Sequence, residues 1–587
     1  FFSWTVYQGT ARCALSRLAA LLGMRAGPVL VLTLSLFVRE ICTMAPAERE
    51  QMRQTVEEMF YHAFDGYMER AFPHDELRPI SGGYTDALVE LGAPAQPTRR
   101  GYSGVALTLI DSLDTLAVIG NASEFARGVR WVSENVDFDI DIDVSVFETT
   151  IRLLGGLLSA HMLANGTMVD GASHVRVAGY GGELLVLARD LGERLLGAFD
   201  GCEALPRAFV NLRDAKAKQA SHQRLEQCSA GVGTLLLEFG VLSRLTGDPS
   251  FEHAALCALR LLWSKRSKFN LLGNTLDVRT GHWRNPTATI GAGVDSFYEY
   301  SLKAYLVFGK PELYAMWNAS ASAVEQHLRV GPWYGEADMH KGHRRAERVE
   351  FDALQAFWPA LQVLAGELRP AAATFEAFHS LWRKFNALPE RFDVDRGKLH
   401  DTLAYYPLRP ELAESCYALY HATRDARYLQ IGAEMVTSLN SAARTFFGFA
   451  AIKSVRSMAL EDQMPSFFLA ETLKYLYLLF DEASFANTHA ESYVFTTEGH
   501  LIPLSTDFHG PGPAPPTDEQ LSAYGVLQLR ELIARASLPH GDCIEKGQLR
   551  ERARLAARRL EAERRSEVEA RQAQDPRKLV CRTPASS

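Results

Sequence analysis

Apolar residues recur at helical spacing along most of the chain, from about residue 52 to residue 480, and strand-like alternation is rare there. Seven stretches share one pattern, in which an apolar helix carries an acidic residue near its start and runs into a short polar turn. These stretches are 105–120, 146–164, 231–246, 293–309, 352–366, 409–423 and 465–480. Between each stretch and the next, the chain is long enough for a second, more amphipathic helix, such as those predicted at 251–264 and 313–328.

A helix that is apolar on all sides is buried, whereas its amphipathic neighbour faces water. Seven buried helices that alternate with seven outer ones predict an all-α fold, a closed α/α ring whose inner helix ends converge on one central cavity. The alternative is an open helical superhelix such as a tetratricopeptide array, which has a fixed period near 34 residues. The spacing here runs from about 40 to 85 residues and favours the closed ring.

The ends of the chain differ from the helical region and divide it into three predicted parts. Residues 1–45 are an N-terminal extension with a signal or anchor segment, 46–502 the helical ring, and 503–587 a proline-rich linker and charged tail. The apolar stretch 28–38 is about as long as a signal-peptide core, whereas a membrane span needs about 20 residues. The segment 545–571 alternates Arg and Glu with Ala and Leu, which is typical of a solvent-exposed helix.

Three N-glycosylation sequons agree with an apolar targeting segment. They begin at Asn121, Asn165 and Asn318, whereas a fourth, at Asn285, is blocked by the proline that follows it. Together these features predict that the chain enters the secretory pathway.

Charge and cysteine content exclude several classes of protein. The 587 residues include 62 basic and 70 acidic ones, a net charge of −8, which offers no positive field for a nucleic acid. The eight cysteines are too sparse for a disulfide scaffold, and no CxxC pair or Cys/His cluster has the spacing of a zinc site. A nucleic-acid-binding protein, a zinc-finger protein and a disulfide-rich module are therefore not expected.

Glu148 stands in an apolar helix, where an unpaired carboxylate costs several kcal/mol. Arg152 lies one helical turn later, in position for an ion pair. The simplest interpretation is a structural pair. The functional one is a carboxylic acid whose pKa is raised by an apolar cavity, so that it can donate a proton.

Four further acids have both simple and functional interpretations. Asp295 could be a helix N-cap, Glu411 and Glu414 follow Pro410 as ordinary helix-start acids, and Glu390 could be exposed before a loop. Together they put several acids at the ends of inner helices that face one cavity. Glycoside hydrolysis needs two such carboxylates on either side of the scissile bond.

At these residues the sequence resembles glycoside hydrolase family 47, the class I α-1,2-mannosidases, and within it the EDEM subgroup of ER degradation-enhancing α-mannosidase-like proteins. The matching stretches run in order from about residue 50 to 500 and include FPHDELRP (72–79), VFETTIRLLGGLLSAH (146–161), GAGVDSFYEY (291–300), YPLRPELAES (406–415) and FTTEGH (495–500). The fold that this resemblance implies is an (α/α)7 barrel.

The resemblance also implies residue roles. Glu148 would deliver a proton to the leaving oxygen, Glu411 would be the base that activates water, Asp295 would be a third essential acid, and Glu390 is sometimes assigned as an acid as well. Thr497 would bind a Ca²⁺ ion. The remaining implied residues would line the sugar site; they are Arg152, Glu238, Arg409, Glu414 and Glu498.

Three positions depart from the family pattern. Pro465 stands where the family has an acid, in MPSFFLAET, which removes a carboxylate expected near the sugar and the calcium. Gly82 and Phe447 stand where EDEM proteins usually carry two cysteines, which indicates the loss of a disulfide and puts the family's redox partners in doubt.

The leading hypothesis is a Ca²⁺-dependent, inverting α-1,2-mannosidase of the endoplasmic reticulum lumen. It would trim high-mannose N-glycans of misfolded glycoproteins for degradation, with the ER degradation machinery and a thioredoxin-like oxidoreductase as partners and no nucleic acid. Two alternatives stay open: a mannose-binding receptor or chaperone-like factor with little turnover, which Pro465 favours, and a different α/α-barrel glycosidase or lyase.

Overall fold

The structure is a computed structural model that describes residues 44–89, 104–166, 171–214, 225–344, 349–505, 508–509, 517–524 and 546–574, with single residues between 529 and 538. The predicted signal segment at 28–38 and most of the proline-rich linker lie outside the described residues. Among the described helices, none combines the length and the apolar character that a membrane crossing requires.

Seven inner helices form a ring in which each packs against the next and the last returns to the first. Three of the seven predicted inner stretches are single helices, and short extra turns begin the other four, at Val146–Thr149, Ser229–Gly233, Ala353–Phe357 and Phe468–Thr472. The inner helices are Leu107–Ile119, Gly155–Asn165, Leu236–Thr246, Asp295–Phe308, Trp358–Leu364, Glu411–Thr423 and Leu473–Phe480. The predicted all-α (α/α)7 barrel is confirmed.

Seven outer helices cover the inner ring, and each packs on one or two inner helices. The first of them, Pro46–Arg70, packs on the last inner helix and so closes the ring between the two ends of the barrel sequence. The outer helices are Pro46–Arg70, Ala122–Asn135, Glu183–Leu195, Ser250–Ser264, Pro311–His327, Leu368–Phe385 and Arg427–Ala442.

The burial pattern explains which helices are inner and which are outer. Every residue of the inner helix Leu473–Phe480 is buried, whereas the outer helix Glu183–Leu195 buries a single stripe. In that stripe Leu184, Ala188, Leu191 and Leu195 recur at spacings of three and four residues, the period of one helix face.

Short strands join the helices, and the sequence pattern missed most of them. They form eight antiparallel sheets of two or three strands within the described residues. Runs of two to four residues are too short to show a period of two. The strands are Glu76–Arg78, Gly83–Thr85, Asp143–Ser145, Phe209–Asn211, Glu226–Cys228, Thr275–Asp277, Trp283–Asn285, Thr287–Ala288, Arg329–Val330, Trp333–Tyr334, Ala337–Asp338, His343–Arg344, Glu350–Asp352, Arg391–Asp393, Lys398–Leu399, Ala451–Ser454, Ala459–Glu461, Tyr493–Phe495 and Leu501–Pro503.

The last hairpin, Tyr493–Phe495 with Leu501–Pro503, carries its turn into the ring of inner helices. Its turn residues Glu498, Gly499 and His500 bond to side chains of three inner segments, through Arg152, Lys474 and Asp114. The hairpin therefore supplies one wall of the central cavity.

The charged tail helix, Lys546–Gln574, is not solvent-exposed on all sides, which corrects the sequence interpretation. It buries Leu549, Ala553 and Ala556 in a small cluster with Leu521 and neighbouring residues of the tail. These three residues recur at spacings of three and four, a narrow apolar stripe that the many Arg and Glu residues concealed.

The structure brings together a Cys/His cluster whose residues have no recognisable spacing in the sequence. Cys202 and Cys257 form a disulfide, and the imidazole of His253 lies beside both sulfurs. The inner helix Leu236–Thr246 lies between Cys202 and His253 in the sequence. The two residues are therefore far apart along the chain, and their contact could not be recognised from the sequence spacing.

Candidate active site

Glu148 and Arg152 form the pair that their spacing predicts. The short helix Val146–Thr149 begins at Ser145, whose side-chain oxygen accepts a hydrogen bond from the backbone N–H of Glu148 at 3.3 Å. Nε of Arg152 donates to Oε2 of Glu148 at 3.1 Å, and another of its nitrogens bonds to Glu498 of the last hairpin. Glu148 keeps 21% of its side chain exposed, so it can still be reached from the cavity.

Beneath Arg152 lies a fully buried network of charges that the sequence did not reveal as a unit. The imidazole of His500 lies between two carboxylates, with 3.2 Å from Nε2 to Asp111 and 3.2 Å from Nδ1 to Asp114. Lys474 donates to Asp114 and to the Gly499 carbonyl oxygen, both at 2.7 Å. Burial alone would lower the pKa of His500, but the charges of Asp114 and Asp111 raise it to about 9.

Glu238 and Thr497 meet at the phenol of Tyr300. Its hydroxyl donates to Oε1 of Glu238 at 2.5 Å and accepts from the backbone N–H of Thr497 at 3.5 Å. Burial raises the pKa of Glu238 to about 8, and its Oε2 has no hydrogen-bond partner among the described residues. A buried acceptor of this kind is available for a ligand, a water or a cation.

Arg409 lies between Glu390 and Glu411. It donates two parallel hydrogen bonds to Glu390, at 2.6 and 2.7 Å, whereas its closest approach to Glu411 is 4.0 Å. Glu390 is thus a paired residue and not the exposed one that the simple interpretation suggested. The preceding residue, Leu408, has a φ of 66°, a strained conformation for a non-glycine residue that helps to orient Arg409.

Glu411 and Asp295 are the first residues of their inner helices, at the end that faces the cavity. Burial raises the pKa of Glu411 to about 7 and that of Asp295 to about 8. The charge of Glu411 contributes to the shift of Asp295, so the two side chains share one environment. Asp295 is not the N-cap, because Val294 holds that position.

Glu148 and Asp295 also lie close to each other, because both influence the thiol of Cys228. Burial raises the pKa of the Cys228 thiol to about 11, and the charges of Asp295 and Glu148 both add to the shift. The three acids Glu148, Asp295 and Glu411 therefore belong to one electrostatic neighbourhood, although they come from three different inner segments.

Glu414 lies one turn deeper than Glu411 and lines a second cavity of about 190 Å³. This cavity is otherwise mostly apolar and also contains the ion pair of Glu299 with Lys303. Glu471, noted in the sequence only as an acid of the last inner helix, has a strongly raised pKa because of burial and of the charges of Glu498, Glu411 and Glu414. Glu414 and Glu471 therefore share the electrostatic surroundings of Glu411.

The positions that depart from the family pattern are accounted for by their contacts. Pro465 is buried, and its neighbour Ser466 accepts from Arg152 and donates its backbone N–H to the buried Glu76. A side chain at Gly82 would contact the ring of Phe447, so the two positions expected to hold cysteines in relatives are adjacent here.

Among the described residues, the cavity wall offers a metal ion mainly carboxylate and hydroxyl oxygens, with the thiol of Cys228 and the imidazole of His500 nearby. The turn of the last hairpin presents Thr497 beside Glu498, with the free Oε2 atoms of Glu238 and Glu411 among the nearby acids. Within the part of the chain that the structure describes, no three of these carboxylates come within 4.8 Å of one another. Such an arrangement suits a hard cation held by few direct protein ligands and by water, as calcium accepts.

The three sequons differ in accessibility. Asn165 and Asn318 are exposed, whereas the side chain of Asn121 caps the helix Ala122–Asn135 and donates to the hydroxyl of Tyr61 at 2.8 Å. Glycosylation at all three stays a prediction.

Comparison with known proteins identifies relatives of the chain. The family described as Glycosyl hydrolase family 47 matches residues 59–504. Alpha-mannosidase I MNS5 of Arabidopsis thaliana is 48% identical, over 82% of each chain. The human ER degradation-enhancing alpha-mannosidase-like protein 2 is 40% identical, over 77% of each chain.

A solved structure shares the fold. The alpha-1,2-mannosidase from Trichoderma reesei superposes with a TM-score of 0.66 at 24% identity, and the match covers 78% of this chain and 99% of that one. At this identity the likeness concerns the fold alone.

Proposed function

The chain belongs to glycosyl hydrolase family 47, and from this premise we propose that it is an inverting α-1,2-mannosidase. It acts in the lumen of the endoplasmic reticulum, where it trims high-mannose N-glycans of misfolded glycoproteins. The observation that carries the proposal is the convergence of Glu148, Asp295 and Glu411 on one cavity from three inner segments. Relatives named as mannosidases and as ER degradation-enhancing proteins support the substrate and the compartment.

The proposed reaction assigns one task to each acid. Glu148 directs a proton to the glycosidic oxygen, and Glu411 accepts the proton of the attacking water through its free Oε2. A base with a pKa of about 7 is well matched to neutral pH, where it can both take up and release a proton. Asp295 holds the sugar or the water from the neighbouring helix end.

The paired residues position these acids. Arg152 fixes Glu148 and Glu498, and Glu390 fixes Arg409 beside Glu411. Glu390 acts in this proposal through Arg409, because both of its carboxylate oxygens are occupied. Glu238 and Glu414 line the deeper part of the site.

We further propose Ca²⁺ as the cofactor, with Thr497 as its direct ligand. The excess of carboxylates over cations in the described cavity wall fits a hard divalent ion. When bound, calcium supplies a flexible coordination shell that sugar hydroxyls can join. The chain's own part is to hold Thr497 in place, through the Tyr300 contact and the anchored hairpin.

A mannose-binding receptor with little turnover is the second candidate, and Pro465 is the observation that favours it. Mass spectrometry of Man9 glycan, free and on a denatured glycoprotein, separates the two functions. We expect wild-type protein with Ca²⁺ to remove hexoses and Glu148→Gln to bind the glycan without trimming it. Glycan binding without any hexose loss by the wild type would support the receptor.

A further inference from the structure

A second cluster of reactive side chains lies outside the cavity, at the outer ring of helices. Cys202 and Cys257 are joined as a disulfide between the loop that follows Leu196–Ala198 and the outer helix Ser250–Ser264. His253 lies one turn before Cys257 on that helix, so both side chains project from the same face. Nothing in the proposed hydrolysis uses these three residues.

The three side chains together form the ligand set of a transition metal. Thiolate sulfur and imidazole nitrogen are the ligands that Zn²⁺ prefers, and a helical pair four residues apart is a common way to present two of them. Within the described residues, these three alone bring at least three such ligand atoms within 4.8 Å of one another.

The imidazole is already at ligand spacing from both sulfurs. Nε2 of His253 lies 3.3 Å from Sγ of Cys202 and 3.6 Å from Sγ of Cys257. In a tetrahedral zinc site, neighbouring sulfur and nitrogen ligands are about 3.6 Å apart, given bonds of about 2.3 and 2.1 Å. Only the two sulfurs need to separate. Cys202 belongs to a loop, so its side chain can move without disturbing the helix.

We propose that Cys202, His253 and Cys257 form a redox-gated Zn²⁺ site, which the disulfide closes and reduction opens. A small thiol reductant donates two electrons to the S–S bond and is itself oxidised to its disulfide. The two thiols then release their protons to solvent as both thiolates and the neutral imidazole bind one Zn²⁺ ion. Three protein ligands leave the fourth position to water.

The site is open to both reactants. Cys202 and His253 are half-buried, so a small thiol and a metal ion can reach them from solvent. Either state fastens the loop to the outer helix, by a covalent bond or through the metal. The site thus keeps this part of the outer ring together under both oxidising and reducing conditions.

Cobalt substitution of the full chain tests the proposal. The protein, with its six other cysteines (Cys13, Cys42, Cys228, Cys416, Cys543 and Cys581) replaced by serine and with excess Ca²⁺ present, is reduced with a phosphine and titrated with Co²⁺ and then Zn²⁺. We expect a sulfur-to-cobalt charge-transfer band that saturates near one equivalent, is absent before reduction and is displaced by Zn²⁺. A reduced protein without the band, or a band before reduction, would overturn the proposal.

Two sets of variants locate the site. Cys202→Ser and Cys257→Ser should abolish the band. His253→Ala retains the disulfide, so it can be purified folded, and after reduction it should bind cobalt at least 10-fold more weakly than the parent protein. If the band persists in the serine variants, the thiolates come from elsewhere and the proposal fails. Equal cobalt affinity of the reduced His253→Ala variant and the reduced parent protein would also contradict the proposal. This holds whether circular dichroism shows the variant to be folded or unfolded.

Discussion

The acids of the central cavity fall into two groups that differ in what neutralises them. The paired group is Asp111, Asp114, Glu148 and Glu498, whose partners are Arg152, Lys474 and His500. The open group is Glu238, Asp295 and Glu411, which have no hydrogen bond from a cationic side chain among the described residues. Both groups are in the same cavity wall, yet their hydrogen-bond partners differ.

Asp114 of the paired group and the three acids of the open group show how cationic partners change the pKa of a buried carboxyl. In the paired group, Lys474 and His500 overcome the effect of burial and keep the pKa of Asp114 well below its usual range. In the open group, burial outweighs the lowering effects of neighbouring donors and of the Arg409 charge, and raises the pKa values to between about 7 and 8. The paired group therefore fixes the geometry, and the open group can exchange protons with substrate and water near neutral pH.

Glu411→Gln should have the largest effect on activity and little on stability. The amide keeps the shape of the side chain but cannot accept the proton of water, so we expect kcat to fall by about 10³ to 10⁴-fold. Because Oε2 of Glu411 has no partner to lose, the free energy of unfolding should change by less than about 1 kcal/mol. Glycan trimming and thermal melting measure the two quantities.

The control for Glu411→Gln is Glu193→Gln on an outer helix, which should leave both trimming and melting unchanged. A strongly destabilised Glu411→Gln with normal trimming would mean that this acid belongs to the paired group.

Lys474→Met should instead reduce stability. Removing the cation leaves Asp114 buried without the closest of its neutralising partners, which costs about 3–5 kcal/mol. Chemical denaturation measures the loss, and Lys384→Met on the exposed side of an outer helix is the matched control. A Lys474→Met protein as stable as the control would contradict the structural role of the paired group.

Calcium removal should lower both the stability of the folded protein and its trimming activity. At a free Ca²⁺ concentration about 100 times its Kd, binding contributes about 2.7 kcal/mol to the stability of the folded state. A chelator should remove this contribution and abolish trimming in the wild type, whereas Thr497→Ala should show a much smaller difference between the two conditions. Calorimetry with and without chelator makes the comparison, and an unchanged melting temperature with full activity in chelator would exclude the cofactor.

The open group also predicts how stability depends on pH once calcium is chelated. The folded-state pKa values of Asp295 and Glu411, about 8 and 7, are above the usual values, so the folded protein holds protons that the unfolded chain has released. Their contribution is complete below the usual carboxyl pKa and is lost as the pH rises through 7 and 8. Stability should therefore fall by about 1–3 kcal/mol between pH 6 and pH 9.

Asp295→Asn isolates one of these two acids. Its stability should vary less with pH between 7 and 9 than that of the wild type, because the amide does not titrate. A wild-type melting temperature that rises across this range, or equal slopes in both proteins, would argue against a raised pKa at Asp295.

The sequence could predict the fold and most of the open group, because both depend on local pattern. Helical period identified the seven inner segments, and acids at helix starts, such as Asp295 and Glu411, stood out against apolar surroundings. The contact of Glu148 with Arg152 followed from their spacing on one helical face.

The paired group could not be predicted as a unit, because its partners come from distant parts of the chain. Asp111 and Asp114 lie on the first inner helix, whereas Lys474 and His500 come from the last inner helix and the hairpin. The same reason explains Glu390, whose partner Arg409 follows a separate strand pair, and the Cys202–Cys257 disulfide. No local period records such pairings.

The central claim, inverting hydrolysis in this cavity, is tested most directly by proton NMR of the first mannose released from an α-1,2-linked mannobiose or Man9 glycan. The wild type with Ca²⁺ should release β-mannose first, before mutarotation produces the α-anomer, and Glu411→Gln should release neither at a comparable rate. Initial release of α-mannose would contradict the single-displacement mechanism, and undiminished release by Glu411→Gln would contradict the assignment of the base.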